Sequence, residues 1–203
     1  MEFSKYIVPI FRGDEFSGTG FIINGMLITA NHVVENKINY YFYFDQSRHE
    51  INLRNLIVLE ESKNEWLFPN VARDLFVCKT DIKQSELTLS SCFNLEDRCV
   101  FWGYSFDEVS KTANKNVVEI ERVFRSDALT NHYGKLITQK NCLSCLCNLV
   151  PGNSGGVLMQ NNQIIGMLIK GFDYNNGSQE RSFIKSDYIM KAIDKSLTWS
   201  SNK

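Results

Sequence analysis

The chain of 203 residues is 43% hydrophobic and 12% aromatic, and its formal net charge is −1. Such a composition is typical of a globular protein with a substantial core, and 22 basic against 23 acidic residues leave no basic surplus for binding nucleic acid. No run of about 18 apolar residues occurs, so we expect no membrane-spanning helix.

The N-terminal segment has none of the features of a secretory signal. Residues 1–6 lack the basic start and the apolar stretch of a signal peptide, and a strand-like run begins at residue 6. If residue 1 is the native start, a cytoplasmic location is expected. A chain trimmed of its leader would look the same.

Short strands are predicted along the N-terminal part of the chain, because apolar runs are short and turn residues are frequent. We place them at residues 3–11, 17–23, 26–29, 37–44, 54–60 and 75–79. Asn24-Gly25 is a hairpin signal that joins the second strand to the third. The third strand ends at Ala30, where a short helical turn can begin.

Residues 85–95 are predicted to cross to a second group of strands. We place these at residues 99–104, 117–124, 134–138, 157–159, 163–170 and 181–185. The polar segments 106–116 and 172–179 are predicted loops. Ser186 is a predicted N-cap for a final helix at 187–197, whose apolar face carries Tyr188, Ile189, Ala192, Ile193 and Leu197.

This order of elements predicts an all-β fold of two β-barrels closed by a helix, rather than an alternating α/β sheet. The N-terminal barrel is expected to span residues 1–84. The C-terminal barrel and the terminal helix are expected to span residues 85–203, and the two form one unit.

Six cysteines occur in the chain, and free thiols are the default for a cytosolic protein. Cys142, Cys145 and Cys147 form one close cluster that could supply three thiolates to zinc. Cys92 or Cys99 would then have to complete the site through the fold. We expect no cofactor and no metal, with the zinc site as the lesser alternative.

A glycine-rich turn carries a serine at Gly152-Asn153-Ser154-Gly155-Gly156. Since glycine has no side chain to block its N–H, the amides of Gly152 and Ser154 can point at one spot and hold a developing oxyanion. An ordinary hairpin turn is the competing interpretation. Catalysis becomes the better one if a histidine and an aspartate occur upstream in matching settings.

A serine hydroxyl needs a base, and the usual base is a neutral histidine. Of the three histidines, His32 follows the apolar strand 26–30 and is therefore held by the core. His49 and His132 lie in polar stretches and are predicted in solvent loops. A buried structural histidine is the competing interpretation for His32.

Asp74 is the predicted partner of His32. It directly precedes the apolar residues 75–78, and a charged residue at the entry to a buried strand needs a partner. A strand-end turn residue, or an ion pair with Arg73, is the alternative.

These motifs resemble those of trypsin-like, chymotrypsin-fold serine peptidases. Ser17-Gly18-Thr19-Gly20-Phe21 followed by Thr29-Ala30-Asn31-His32 is similar to the opening of that family, residues 73–77 resemble its aspartate strand, and residues 152–156 are similar to its nucleophile turn. The resemblance implies two packed six-stranded antiparallel barrels and a catalytic triad of His32, Asp74 and Ser154.

The resemblance is closer to the bacterial HtrA-type branch. Residues 95–104 look like its entry to the second barrel, and residues 182–189 are similar to its exit strand and terminal helix. The chain stops about where an HtrA-type PDZ domain would begin. Asn153 stands where digestive enzymes carry an aspartate that pairs with a newly cut N-terminus, so that activation step is not expected.

The resemblance also suggests where substrate specificity resides. One wall of the pocket would be Asn148, Leu149 and Val150, and the other Ile169, Lys170 and Gly171. No acidic residue is expected at the pocket base, so a preference for Lys or Arg is not expected. Lys170 would favour an acidic residue if it points inward, but an apolar or small residue is the first expectation.

We therefore predict a serine endopeptidase that acts through an acyl-enzyme, with narrow specificity for a dedicated protein substrate or control by a partner protein. The missing leader and the missing PDZ domain motivate the narrow specificity. No nucleic acid and no membrane are expected as partners. The alternative function is a weak or inactive peptidase-fold module that binds a peptide or a protein.

Overall fold

The computed structural model describes residues 2–35, 39–60, 74–83, 85–110, 112–124, 128–132, 135–139, 141–173, 175 and 177–200. Strands make up most of this part of the chain, and one α-helix closes it. Among these residues no helix is long and apolar enough to span a membrane.

The first sheet is antiparallel and has seven strands. They are β1 (Ile7–Arg12), β2 (Glu15–Ile23), β3 (Met26–Ala30), β4 (Tyr40–Phe44), β5 (Ser47–Glu50), β6 (Leu56–Glu60) and β7 (Leu75–Lys79). Their order in the sheet is β5-β4-β1-β2-β3-β7-β6. The hairpin turn at Asn24 and Gly25 joins β2 to β3 as predicted, with φ of +48° and +78°.

The C-terminal half contains the strands β8 (Cys99–Asp107), β9 (Thr112–Ile120), β10 (Ala128–His132), β11 (Lys135–Gln139), β12 (Cys142–Leu146), β13 (Val157–Gln160), β14 (Gln163–Asp173) and β15 (Gln179–Lys185). Six of them form the second sheet, which is also antiparallel, in the order β12-β15-β14-β13-β8-β9. A separate hairpin is formed by β10 and β11, and helix α1 (Ser186–Ser200) ends the described chain.

The two sheets pack together around a shared core. One apolar cluster contains Phe21 and Phe76 of the first sheet with Met167 and Ile184 of the second. A second cluster around Phe101 lies within the C-terminal half. The all-β, chymotrypsin-like class with a terminal helix is confirmed, whereas the domain boundary at residue 84 stays a prediction.

Several predicted element boundaries were wrong. The first strand does not start at residue 3, because Glu2–Tyr6 forms a 3-10 turn. The predicted loop 106–116 is largely strand, since β8 and β9 pair from Cys99↔Ile120 to Asp107↔Thr112. The first sheet has seven strands rather than six because β5, which was not predicted, pairs with β4.

The terminal helix runs over Ser186–Ser200 rather than 187–197, and two of its residues differ from their predicted roles. Ser186 is already helical, and its hydroxyl donates to the carbonyl of Ile164 at 2.7 Å instead of serving as a cap outside the helix. Leu197 is 39% exposed, so it lies off the buried face. Ile189 and Ile193 are buried as the periodicity predicted.

Candidate active site

His32 lies on the short 3-10 turn Asn31–Val34 that follows β3. Its backbone N–H donates to Oδ1 of Asp74 at 2.8 Å, and its Nδ1 lies 2.6 Å from Oδ2 of the same carboxylate. The amide of Asn31 donates to the Asp74 carbonyl at 3.1 Å. The loop after β3 is therefore fixed to Asp74 by three hydrogen bonds.

Asp74 occupies a strained backbone conformation directly before β7. Its φ is +111°, in the region that disfavours a residue with a side chain. The conformation lets the Asp74 amide donate to the carbonyl of Glu60 at 3.1 Å while its carbonyl accepts from Asn31. The side chain is 11% exposed and is engaged by His32. The alternative partner, Arg73, lies outside the described residues.

The electrostatics of the pair favour a basic histidine. Burial alone would lower the pKa of His32, but the hydrogen bond and charge of Asp74, together with the charge of Glu35, raise it above 6.5. When Nδ1–H donates to Asp74, the neutral ring carries its lone pair on Nε2. The His32 side chain is 44% exposed, so this base is accessible from solvent.

The serine turn is anchored to both sheets. The carbonyl of Ser154 accepts from the Thr19 amide of β2 at 2.9 Å, and the Gly155 amide donates to the Leu168 carbonyl of β14 at 2.8 Å. A Cβ added at Gly18 would lie 3.2 Å from the Ser154 carbonyl oxygen and 2.8 Å from Cγ2 of Val33. Gly18 thus separates the serine turn from the turn that carries His32, and the two lie side by side.

The amides of Gly152 and Ser154 are the donors of the predicted oxyanion hole. Among the described residues, neither N–H has an acceptor. Gly152 has φ +91°, and a Cβ there would overlap the ring of Phe16. Its carbonyl accepts from Oγ1 of Thr19 at 3.0 Å, which fixes the peptide that follows. Such a pair of unoccupied backbone donors suits an oxyanion.

Asn153 fixes the serine turn through three hydrogen bonds of its side chain. The residue is fully buried, and its Oδ1 accepts from the Val150 amide at 2.9 Å and from Nδ2 of Asn116 at 3.0 Å. Its own Nδ2 donates to the Tyr104 carbonyl at 2.7 Å. Neutral hydrogen bonds therefore hold the turn, and no charged partner for Asn153 is required.

A cavity of about 290 Å³ opens beside Ser154. Of the predicted specificity residues, Leu149, Val150, Lys170 and Gly171 line this cavity. Asn148 is exposed elsewhere, and Ile169 is buried in the core.

Two charged residues of the cavity were missed by sequence reasoning, namely Asp173 and Arg181. The register of β14 against β15, which pairs Gly171 with Arg181, brings Arg181 into the cavity. No local signal in the sequence gives that register.

Both of the other histidines lie on strands rather than in loops. His49 lies on strand β5 rather than in a loop, with its Nδ1 3.2 Å from Oδ1 of Asp81. His132 ends β10, also a strand.

None of the six cysteines, all of which are described, forms a disulfide. Cys142 packs in the shared core and Cys145 in the C-terminal cluster, and burial raises the pKa of Cys147 to about 12. Among the described residues no group of three or more His, Cys, Asp or Glu side chains could hold a metal ion.

Comparison with known proteins gives one consistent family and fold. The family model described as Trypsin matches residues 2–193. The active form of the Rv3671c protease from M. tuberculosis is similar in structure with a TM-score of 0.66 at 16% identity, covering 96% of this chain and 82% of that chain. Neuropsin, a mouse serine protease, has a TM-score of 0.68 at 15% identity, covering 96% and 95%.

The HtrA-type protease AlgW has a TM-score of 0.58 at 21% identity, with 89% of this chain and 51% of that chain covered. At these identities the structural likeness establishes the fold. No curated protein matches the chain in sequence.

Proposed function

Since the chain belongs to the trypsin family and is a serine endopeptidase by that membership, we propose that it hydrolyses peptide bonds through an acyl-enzyme on Ser154, with His32 as base and Asp74 as its orienting carboxylate. One observation carries the proposal. His32 and Asp74 are joined by two hydrogen bonds, at 2.6 and 2.8 Å, on a turn that lies beside the serine turn.

Acylation uses each group at a defined atom. Nε2 of His32 takes the proton from Oγ of Ser154 as that oxygen attacks the scissile carbonyl carbon. The carbonyl oxygen becomes an oxyanion and accepts from the amides of Gly152 and Ser154, each worth about 3 kcal/mol of barrier. His32 then gives its proton to the leaving amine, the C–N bond breaks, and Ser154 carries the acyl group.

Deacylation repeats the sequence with water as the nucleophile. His32 takes a proton from the water, the hydroxyl attacks the ester carbonyl, and Ser154 leaves with the proton that His32 returns. Asp74 keeps the Nδ1–H tautomer throughout and stabilises the imidazolium without taking the proton. Asn153 supports this role for the turn, because its neutral contacts order residues 150–153 without a cut N-terminus.

We also propose narrow specificity for a dedicated protein substrate, or control by a partner, in the cytoplasm. The cavity beside Ser154 supports selectivity, because charged side chains line it and discriminate among substrate residues. The six cysteines are reduced thiols, as is usual in the cytosol, where disulfides are rare. Rapid, indiscriminate digestion of unfolded casein would contradict the narrow specificity.

A fluorophosphonate probe, which reacts with activated serines, tests the catalytic proposal. We expect one adduct per chain, located on Ser154 by peptide mass analysis. Labelling should disappear in Ser154→Ala and fall strongly in His32→Ala, whereas Ser91→Ala, at an exposed loop serine, should label like the wild type. Well-folded protein that takes no label would favour the peptide-binding module instead.

A further inference from the structure

The charged side of the cavity beside Ser154, which we call the ionic floor, is formed by Arg181 and its partners. Arg181 lies there with only 9% of its side chain exposed, on β15 opposite Gly171. A Cβ at Gly171 would overlap the guanidinium, so the missing side chain at 171 makes room for this cation. A buried charge is costly unless it is paired and hydrogen-bonded. The partners of Arg181 therefore indicate which kind of ligand this part of the cavity can bind.

Three of these partners are uncharged and belong to the surrounding walls. Nη1 of Arg181 donates to the Glu180 carbonyl at 3.2 Å, and Nη2 donates to the Leu149 carbonyl at 3.2 Å and to Oε1 of Gln179 at 2.6 Å. These bonds fix the plane of the guanidinium. The neighbouring carboxylate of Glu180 accepts from Ser144 on the opposite face of β15.

The remaining partner is a carboxylate that can be displaced. Nη1 of Arg181 donates to Oδ1 of Asp173 at 2.7 Å, and the Asp173 side chain is 69% exposed at the end of β14. Lys170 also lines the cavity. The charged groups that line the cavity are therefore two cations, Arg181 and Lys170, and one solvent-facing carboxylate, Asp173, which is the partner of Arg181 that a substrate carboxylate can replace.

We propose that this cavity accepts an acidic side chain, glutamate or aspartate, from the substrate residue that precedes the scissile bond. The proposal rests on the proposed function, since it names the substrate class of the same site. The substrate carboxylate takes the Nη1 donor that Asp173 occupies in the free protein, with Lys170 as second cation. Asp173 is thus an internal competitor.

The same groups exclude other residues. A lysine or arginine would face two cations, Lys170 and Arg181, and only one carboxylate, Asp173, which is already paired with Arg181. An apolar residue would displace Asp173 without supplying a carboxylate, leaving the Arg181 charge short of a partner. This inference replaces the sequence-based expectation of an apolar or small residue, because that expectation did not include Arg181.

The test is cleavage of peptide amides that differ only at the residue before the reporter, namely Glu, Asp, Gln, Leu and Lys. Because hydrogen bonds to charged groups contribute about 1.5–3 kcal/mol, kcat/KM for Glu should exceed that for Gln about 10- to 100-fold. The difference should appear mainly in KM and shrink at high salt. Equal values for Glu and Gln, or a preference for Leu or Lys, would overturn the proposal.

Variants separate recognition from folding. Lys170→Gln should reduce the Glu-to-Gln ratio several-fold, and Asp173→Asn should lower KM for Glu. Arg181→Gln should abolish the preference, provided that it still takes the fluorophosphonate label. Lys191→Gln, on the exposed face of α1, is the control and should keep the wild-type ratio. An unchanged ratio in both Lys170→Gln and Asp173→Asn would overturn the assignment.

The labelling result distinguishes failure of this inference from failure of the proposed function. If the wild type labels at Ser154 but shows no acidic preference, the inference fails and the proposed function stands. If the wild type does not label, the proposed function fails, and calorimetry of peptides ending in Glu or Gln on the Ser154→Ala protein decides the inference. About tenfold tighter binding of the Glu peptide would support the ionic floor, and equal binding would overturn it.

Discussion

Asp74 combines a strained backbone with a full set of contacts at the residue scale. Its φ of +111° costs energy that the surrounding structure must supply. Hydrogen bonds with Glu60 and Asn31 hold the backbone of Asp74 on both sides, and both carboxylate oxygens of its side chain contact His32. Strain retained at such a point is consistent with a requirement for exact placement of the carboxylate.

Asp74→Asn is the first prediction. An amide at this position stabilises the wrong tautomer of His32, so kcat should fall by about 10⁴-fold. Since Asp74 raises the pKa of His32 above 6.5, the rise of kcat/KM with pH should move to lower pH in the variant. A pH–rate profile measures both effects. A wild-type profile without an inflection above pH 6.5, or the same inflection in both proteins, would contradict this account.

Asn153→Asp tests the neutral hydrogen bonds by which Asn153 holds the serine turn. A carboxylate oxygen would replace Nδ2 and face the Tyr104 carbonyl, costing about 1–3 kcal/mol of the free energy of unfolding. Protonation restores a donor, so the folded-state pKa of the new carboxyl is expected above the unfolded value of about 3.9. The stability deficit should therefore be smallest near pH 4 and grow as pH rises.

Urea unfolding at several pH values measures that trend. Asn116→Ala, which removes only one donor to Asn153, is the matched control and should show no such pH dependence. A deficit in Asn153→Asp that stays constant with pH would show that the contact with Tyr104 is not the cause.

At the element scale, the serine turn depends on the absence of a side chain at Gly155. Its φ is +82°, and an added Cβ would overlap the carbonyl oxygen of Thr19. Gly177 has nearly the same φ, +84°, but open space around it. The two positions thus separate backbone strain from steric overlap.

Gly177→Ala should cost about 1 kcal/mol, from the left-handed backbone alone. Gly155→Ala should cost about 1–3 kcal/mol more through overlap and lower kcat/KM by about 100-fold, because a 1 Å displacement of Ser154 spoils its attack geometry. Chemical denaturation and a peptide-amide assay measure the two effects. Equal losses in both variants would show that the close approach to β2 is unimportant.

The elements also show how far sequence reasoning reaches. Asn24-Gly25 and the short apolar runs on either side of it predict β2 and β3, and the position of His32 follows directly. Strand β5 was missed because its turn uses Asp45 and Gln46, at φ of +46° and +64°, with no glycine to mark it. Residues 112–116 of β9 were missed because the exposed face of that strand is polar, as an edge strand allows.

The site divides in the same way. His32, Asp74 and Ser154 stand in local patterns that their types and neighbours make recognisable. Arg181 reaches the cavity only because β15 pairs with β14 in one register. Register is set by the whole sheet, so no short motif could have identified the floor of the cavity.

At the scale of the whole molecule, Thr19 connects the two sheets beneath the serine turn. Its Oγ1 donates to the Gly152 carbonyl at 3.0 Å and accepts from the Tyr104 amide at 2.8 Å. Its carbonyl accepts from Oγ1 of Thr29 at 2.6 Å. The orientation of the proposed oxyanion-binding turn is therefore coupled to the packing of one sheet on the other.

Thr19→Val keeps the shape of the side chain and removes the hydroxyl. The partly buried Tyr104 amide then lacks its acceptor, which should lower the free energy of unfolding by about 1–3 kcal/mol. Release of Gly152 should also lower kcat more than it raises KM, because the oxyanion is bound only in the transition state. An unchanged urea midpoint together with unchanged kcat would contradict the coupling.

The most direct test of the whole account is rapid mixing of the protein with a chromogenic ester whose acyl group is retained on an activated serine. We predict a burst of one product equivalent per chain, an acyl mass increment on Ser154, and loss of both in Ser154→Ala. A folded protein that shows neither burst nor acyl adduct, or an adduct on another residue, would contradict the proposed acyl-enzyme.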